Sequence, residues 1–181
     1  MATLFEYNMT TPTSWPTQFY GVYWYAQSFS PQVKHSITSA MIYAFKIGSP
    51  GDFTIGVRNT LSSLPTGVDL TSGLISANSW IGNDWREVVF DNSLVLDSGI
   101  EYALVMRAPN GNSSNKLYVS LEDGATYTRG IPSYSSDSGD TWSGVALEGY
   151  DFLFQDWGDA IIAPRITGFV PKINFIQASR I

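Results

Sequence analysis

The stretch HSITSAMIYAFKI, residues 35–47, decides the fold class. Apolar side chains recur at every second position along it, and a period of two residues is the period of a β-strand. One face of this strand is expected to carry Ile37, Met41, Tyr43, Phe45 and Ile47. The opposite face carries Thr38, Ala40, Ile42 and Ala44, so we expect both faces to be covered. The turn Gly48-Ser-Pro-Gly51 ends the strand.

Shorter runs of the same kind fill the chain from Trp24 to Gly158, and turn residues separate them every 8 to 14 positions. The other predicted strands are residues 24–29, 53–57, 70–77, 84–91, 101–107, 116–122 and 150–157. Asn110-Gly111 and Asp123-Gly124 are typical of tight turns between such strands. The sequence therefore predicts an all-β protein with an antiparallel two-sheet β-sandwich of the jelly-roll kind, because eight strands in two Greek keys bury one shared core.

The composition of the 181 residues fits a globular domain made of strands, with 44% hydrophobic, 14% aromatic and 14% charged residues. Cysteine is absent, which excludes disulfides and thiolate metal sites. His35 is the only histidine, and we interpret it as an ordinary exposed strand-end residue rather than a catalytic base. No nucleotide-binding glycine motif occurs. We therefore expect no enzymatic activity and no cofactor.

Carboxylates are the other groups in the sequence that could take part in catalysis or bind a metal ion. Glu122 and Asp123 stand beside a predicted turn, where solvated residues are typical, so the acid and base of a glycosidase are not expected there. Four acidic residues near the end of the predicted sandwich could hold a structural Ca²⁺ through oxygen ligands, although their spacing is not that of an EF-hand: Glu148, Asp151, Asp156 and Asp159.

The ionisable residues are unevenly distributed along the chain. All 16 acidic residues lie at or before Asp159, together with only seven basic residues, so this part has a net charge of −9. Residues 160–181 contain no acidic residue, and Arg165, Lys172 and Arg180 give them a charge of +3. The overall charge of −6 argues against binding to nucleic acid, because neutralising phosphates takes clustered Lys and Arg.

Three parts are predicted: an extended N-terminal arm over residues 1–23, the β-sandwich over 24–159, and an apolar, basic C-terminal arm over 160–181. A solvated tail should not be so apolar, so we expect this arm to dock on a partner protein or a neighbouring copy as an added strand, which predicts a homo-oligomer. The alternative, that the arm folds back over its own sheet, stays equally open. The residues expected to make the contact are Ile162, Ile166, Phe169, Val170, Ile173, Phe175 and Ile176.

The beginning of the chain shows no secretion signal, because no basic residue precedes Lys34 and no apolar run has the required length. No stretch approaches the ~18 apolar residues that a membrane-spanning helix needs, so membrane insertion is not expected. A protein of this kind that works outside the cell would leave it by lysis or by an unusual export route.

Aromatic residues are more numerous than the predicted core requires. Flat aromatic rings bind sugar rings by apolar stacking, while polar neighbours fix the orientation of the sugar. The aromatic residues predicted to lie near loop tips, where a ligand could reach them, are Trp80, Tyr127, Tyr134 and Trp142.

The run Ser135-Ser-Asp-Ser-Gly-Asp-Thr-Trp142 matches S-x-D-x-G-x-T-W and resembles the Asp-box of sialidases and related repeat proteins. In such a turn the Asp side chain accepts backbone amide hydrogens, glycine adopts a positive φ, and the aromatic ring anchors the hairpin against the sheet. Sialidases carry several copies together with an arginine triad and a tyrosine nucleophile that have no recognisable counterpart here. The resemblance therefore implies a hairpin and not an activity.

Residues from about 20 to 158 also resemble the choice-of-anchor-type β-sandwich domain. This domain recurs in bacterial and archaeal surface proteins and in phage structural proteins. The resemblance implies a non-catalytic, jelly-roll-like module and brings no active-site residues with it. Besides the Asp-box hairpin, the segments that carry it are residues 24–31, 35–39, 48–58, 64–67, 70–73, 96–105 and 151–154.

These observations together favour a structural protein on the surface of a phage or virus particle, either a capsid decoration or a fibre component. Synthesis in the host cytoplasm followed by lysis agrees with the missing export signal, and the C-terminal arm would hold the subunit to the capsid or to sister subunits. The alternative is a carbohydrate-binding or adhesin module of an extracellular or cell-surface protein, with a glycan as its ligand.

Overall fold

The part of the chain that the computed structural model describes, residues 2–12, 17–144 and 147–161, is built almost entirely of β-strands. The strands are β1 (Thr3–Asn8), β2 (Thr17–Phe19), β3 (Trp24–Phe29), β4 (His35–Ile47), β5 (Asp52–Leu61), β6 (Leu64–Ser76), β7 (Asp84–Leu96), β8 (Tyr102–Arg107), β9 (Lys116–Val119), β10 (Leu121–Asp123), β11 (Pro132–Ser135), β12 (Tyr150–Phe152) and β13 (Phe154–Ala160).

Two antiparallel sheets pack against each other. The first sheet has the order β1-β13-β4-β9-β2, and β7 pairs with the other edge of β4. The second sheet has the order β11-β3-β8-β5-β6. The series β1-β13-β4-β7 and β3-β8-β5-β6 together form an eight-stranded jelly roll. Along these eight strands the chain changes sheet at every step except between β5 and β6, which are paired neighbours in the second sheet. The predicted all-β sandwich is therefore confirmed.

The long strand β4 begins and ends where the sequence predicts, but Ile37 lies on the face opposite to the predicted one. Its pairing with β7 shifts between Ile37 and Ser39, and a bulge of this kind reverses the alternation of side chains beyond it. The core face carries four fully buried side chains: Ile37, Ala40, Ile42 and Ala44. The outer face carries Met41, Tyr43, Phe45 and Ile47.

The strands predicted over residues 116–122 and 150–157 are each interrupted once, where the chain leaves the first sheet. The Tyr43 amide donates to the Leu153 carbonyl at 3.3 Å, and the Ser120 amide donates to the Tyr43 carbonyl at 2.9 Å. One residue of β4 therefore contacts both neighbouring strands, and beyond it β10 and β12 form a two-stranded sheet of their own. Residues 1–23, predicted as an arm, contribute β1 and β2 to the first sheet.

The core fills the space between the two sheets. Aromatic rings pack against each other in this core. The ring centroids of Phe154 and Phe29 lie 6.0 Å apart, and those of Phe19 and Phe53 also lie 6.0 Å apart. The sheets come together where β6 meets β7, since the Thr71 hydroxyl donates to the Asn92 carbonyl at 2.6 Å. Gly73 is required at this place, because a Cβ would lie 2.0 Å from the Val89 carbonyl oxygen.

Candidate functional site

A groove of about 530 Å³ runs along β1. It is lined by Phe5 and residues 7–10 of the β1 segment, by Gln32, and by residues 126–129. We call it the β1 groove. A volume of this size falls in the range of small-molecule and peptide sites, and the lining combines aromatic rings with amide, hydroxyl and guanidinium groups. The β1 groove is therefore the first candidate for a binding site.

The carboxylate of Glu6, which is only 1% exposed, anchors the wall of the β1 groove. It accepts hydrogen bonds from the backbone amide of Gln32 at 2.7 Å and from the Tyr127 hydroxyl at 3.3 Å, and it forms an ion pair with Arg129. The Arg129 guanidinium also lies over the Tyr127 ring, 5.0 Å from its centroid. Burial, assisted by the charge of Glu6, raises the pKa of Tyr127, so this phenol stays protonated. Glu6 thus joins Gln32, Tyr127 and Arg129 in one network, in which Arg129 Nε has no hydrogen-bond partner among the described residues.

The only histidine lies beneath this wall, and its predicted exposure is wrong. His35 is 0% exposed, and its ring stacks on Phe5 at 3.8 Å between centroids. Nε2 lies 2.8 Å from a carboxylate oxygen of Asp156, and Nδ1 lies 2.8 Å from the Val33 carbonyl. Burial alone would lower the pKa of His35, but Asp156 outweighs it and raises the pKa. Because Nδ1 lies against a carbonyl and Nε2 against a carboxylate, neither ring nitrogen is free for a substrate.

A second buried network joins β10, β12 and the loop before β11. Asp151 accepts hydrogen bonds from the Gln27 side chain at 3.2 Å and the Tyr127 amide at 2.9 Å. Burial raises the pKa of Asp151 to about 6, and the charge of Glu122 adds to the shift. Glu122 was expected to be solvated, but it is 5% exposed and accepts from the Asn8 amide group at 2.9 Å.

Four carboxylates are buried in the described part of the chain: Glu6, Glu122, Asp151 and Asp156. Glu6 is paired with Arg129, and Asp156 is paired with His35. One oxygen of Asp156, Oδ1, has no hydrogen-bond partner among the described residues. In the described ranges, no three acidic or histidine side chains are grouped so that they could hold a metal ion. The buried carboxylates are therefore held by protein donors and cations.

The outer face of the first sheet is a second candidate surface. Tyr43 and Trp85 are directly paired and lie 5.4 Å apart, while Phe45 and Tyr118 stack at 4.7 Å. We call these four half-buried residues the aromatic face. Val89 on the same side of β7 is 63% exposed. The sequence signal for this surface was the apolar character of both faces of β4, which we interpreted as a strand covered on both sides.

The four aromatic residues predicted to bind a ligand do not form one site, because they lie in three different parts of the molecule. Trp80 packs edge-on against Phe53 at 5.5 Å. Tyr127 is 7% exposed and lies against Phe154. Tyr134 and Trp142 belong to the Asp-box hairpin, where Trp142 packs on a small apolar cluster of the second sheet. The residues predicted to bind a partner, Ile162, Ile166, Phe169, Val170, Ile173, Phe175 and Ile176, lie outside the described residues.

The Asp-box turn has the local geometry expected from its sequence. Asp137 accepts from the Thr141 amide at 2.9 Å and from the Thr141 and Ser135 hydroxyls at 2.5 and 2.7 Å. Gly139 has a φ of +85°, and an added Cβ would lie 2.7 Å from the Trp24 ring. The Trp142 indole donates to the Gly139 carbonyl at 3.1 Å. The turn is a self-contained structural element that covers part of the second sheet.

Neither the models of known protein families nor the curated proteins contain a match to this chain. Among the described residues, no helix has the length and apolar character needed to cross a membrane.

Proposed function

We propose that the protein is a non-catalytic structural subunit of a phage or virus particle, a capsid decoration or fibre component, that assembles through its C-terminal arm. The observation that carries this proposal is the jelly roll, an architecture shared by viral capsid and lectin domains. The basic, apolar residues 160–181 complement an acidic body, which supports contact between subunits.

The non-catalytic part of the proposal is supported by the way the titratable groups of the described interior are used. Both nitrogens of His35 are occupied by Val33 and Asp156, and the ring is fully buried. Asp151 is likewise enclosed and receives two hydrogen bonds from the protein itself. A general acid or base must reach the proton of a substrate, and these groups face inward.

The assembly proposal is tested in the full chain with Phe169→Asp combined with Phe175→Asp. The wild-type protein should form oligomers whose mass rises with concentration in light scattering, and the double variant should remain monomeric, because a buried unpaired carboxylate opposes an apolar contact. Val68→Asp is the matched control, since Val68 is 80% exposed on β6 and should not affect association. Equal melting temperatures would show that folding is intact. A monomeric wild-type protein would contradict the proposal.

A carbohydrate-binding module is the second candidate, and the aromatic face favours it. Half-buried rings supported by a sheet are the platforms on which sugar rings stack. A glycan array should then give a selective signal that Trp85→Ala removes, while Trp142→Ala, whose ring packs on the second sheet, leaves it unchanged. An array without selective signal would count against this function.

A further inference from the structure

We infer that the β1 groove of one copy binds residues 172–177 of a second copy, which add as a strand along the free edge of β1. This inference rests on the proposed assembly function and names the surface that receives the C-terminal arm. It follows from the state of the β1 edge, the chemistry of the arm, the length of the chain and the distribution of charge.

β1 is the end strand of the first sheet and pairs on one side only. Its partner is β13, with the register Thr3↔Gly158 to Asn8↔Phe154. In the described part of the chain no other strand pairs with β1, and Phe5 and residues 7–10 line the β1 groove. An unpaired edge of this kind is a template for an added strand, and main-chain hydrogen bonds then supply the affinity.

Residues 172–177, Lys-Ile-Asn-Phe-Ile-Gln, are the part of the C-terminal arm best suited to form a strand. They contain β-branched and aromatic residues and no Gly or Pro, whereas Gly168 and Pro171 interrupt the residues before them. Alternation along such a strand would place Ile173 and Phe175 on one side and Asn174 on the other. This suits the β1 groove, whose lining is partly aromatic and partly amide and hydroxyl.

The length of the chain allows a second copy to be the donor. β13 passes Thr3 at Gly158, and the described chain ends shortly afterwards at Ile161. The chain from Ile161 to Lys172 can span up to about 36 Å, whereas the β1 edge from Thr3 to Thr10 is about 23 Å long. Residues 162–171 are therefore long enough to serve as a linker between two copies. The doubly substituted chain described below distinguishes this arrangement from docking within one chain.

The charges of the body and the arm are complementary as well. Residues 1–159 have a net charge of −9, and the charged residue in the lining of the β1 groove, Arg129, is paired with Glu6. The arm carries only positive charges, one of them on Lys172 at the start of the proposed strand. The negative charge of the body therefore attracts the arm and repels other acidic surfaces of the same protein.

The absence of cysteine allows a direct test by disulfide cross-linking of full-length chains. Met9 lines the β1 groove and is 45% exposed, so Met9→Cys provides one thiol, and Asn174→Cys on a chain with a size tag provides the other. After mixing and oxidation, the hybrid dimer should dominate on a non-reducing gel, because a disulfide forms only when the two Cα atoms lie within about 7 Å. Val68→Cys replaces Met9→Cys in the matched control and should give at least tenfold less hybrid.

A second variant tests whether the contact is made by main-chain pairing. Ile173→Pro in the Asn174→Cys chain removes a backbone donor and should abolish the hybrid dimer, whereas Ile173→Val should preserve it.

Equal cross-linking from Met9→Cys and Val68→Cys, or none from either, would overturn the inference. If the wild-type protein still oligomerises in that case, only the docking surface is wrong. A doubly substituted Met9→Cys, Asn174→Cys chain that closes only on itself would also overturn it, and a monomeric wild-type protein would identify the assembly proposal as the failure.

Discussion

Asp137 and Asp151 are the same chemical group in two regions of the molecule, and their surroundings shift their pKa values in opposite directions. At the surface, hydrogen bonds from the Thr141 side chain and amide and from Ser135 lower the pKa of Asp137 to about 2. In the interior, burial raises the pKa of Asp151 to about 6, although Tyr127 and Gln27 donate to it. The difference shows that donors alone do not decide the charge of a carboxylate, because desolvation can outweigh them.

The two regions also differ in how far apart their partners lie in sequence. The partners of Asp137 are two and four residues away, so one short segment of the sequence contains the residues that form the turn. The interior network joins His35 to Asp156, which are 121 positions apart, and Gln27 to Asp151, which are 124 apart. The turn can form locally, whereas the interior network exists only when both sheets are in place.

The largest expected effect is the loss of the buried ion pair by Asp156→Ala. This variant leaves His35 buried without its counter-charge, which should cost about 3–5 kcal/mol of the free energy of unfolding. Urea unfolding at pH 7, followed by tryptophan fluorescence, measures the change. Asp159→Ala on the same strand is the matched control and should cost less than about 0.5 kcal/mol, because Asp159 is exposed. Equal losses in the two variants would remove the distinction between interior and surface carboxylates.

The second effect is a pH dependence carried by Asp151. Its pKa in the folded protein, about 6, lies above the ordinary value of 3.8, so the folded state holds the proton more tightly than the unfolded state. The free energy of unfolding should therefore fall as the pH rises from about 4 to about 6, by roughly 3 kcal/mol in total from this group, and then level off. Asp151→Asn keeps an oxygen for the Tyr127 amide and should remove this slope.

The control for Asp151→Asn is Glu148→Gln, which changes an exposed carboxylate close by in the sequence. Its stability profile between pH 4 and 6 should follow that of the wild type. A profile of Asp151→Asn that keeps the wild-type slope would show that Asp151 is already ionised throughout this range, and the contrast with Asp137 would disappear.

The regions that could be predicted from sequence are those whose contacts are local. The strand over residues 35–47 and the Asp-box turn follow from period and spacing within a few residues, and the fold class follows from the repetition of such strands. The bulge in β4 could not be predicted, because it depends on the register with β7 and β13. For the same reason His35 and Glu122 were predicted to be solvated, since Asp156, the partner of His35, and Asn8, a partner of Glu122, come from distant strands.

The β1 groove was missed for a related physical reason. It is formed by the free edge of β1 and by residues 126–129, which are more than a hundred positions apart in sequence. Of the predicted ligand-binding residues only Tyr127 contributes to it. The aromatic face was visible as an apolar pattern on β4, but pairing with Trp85 and Tyr118 required the sheet order. The sequence thus indicated the strands, whereas the β1 groove and the aromatic face depend on the order of the strands in the sheet.

The smallest expected effect, and one of opposite sign to that of Asp151, belongs to Asp137. Its folded-state pKa of about 2 lies below the ordinary 3.8, so its stabilising contribution is complete above about pH 4 and is lost as the pH falls towards 2. The effect is small because water screens an exposed carboxylate. Melting temperatures at pH 2.5 and pH 5 should differ less in Asp137→Asn than in the wild type, whereas Asp140→Asn, the neighbouring exposed control, should behave as the wild type does. Because Asp137 and Asp151 share no hydrogen-bond partner, their two difference profiles should add in the double variant, and a failure to add would mean that the turn and the interior network are coupled after all.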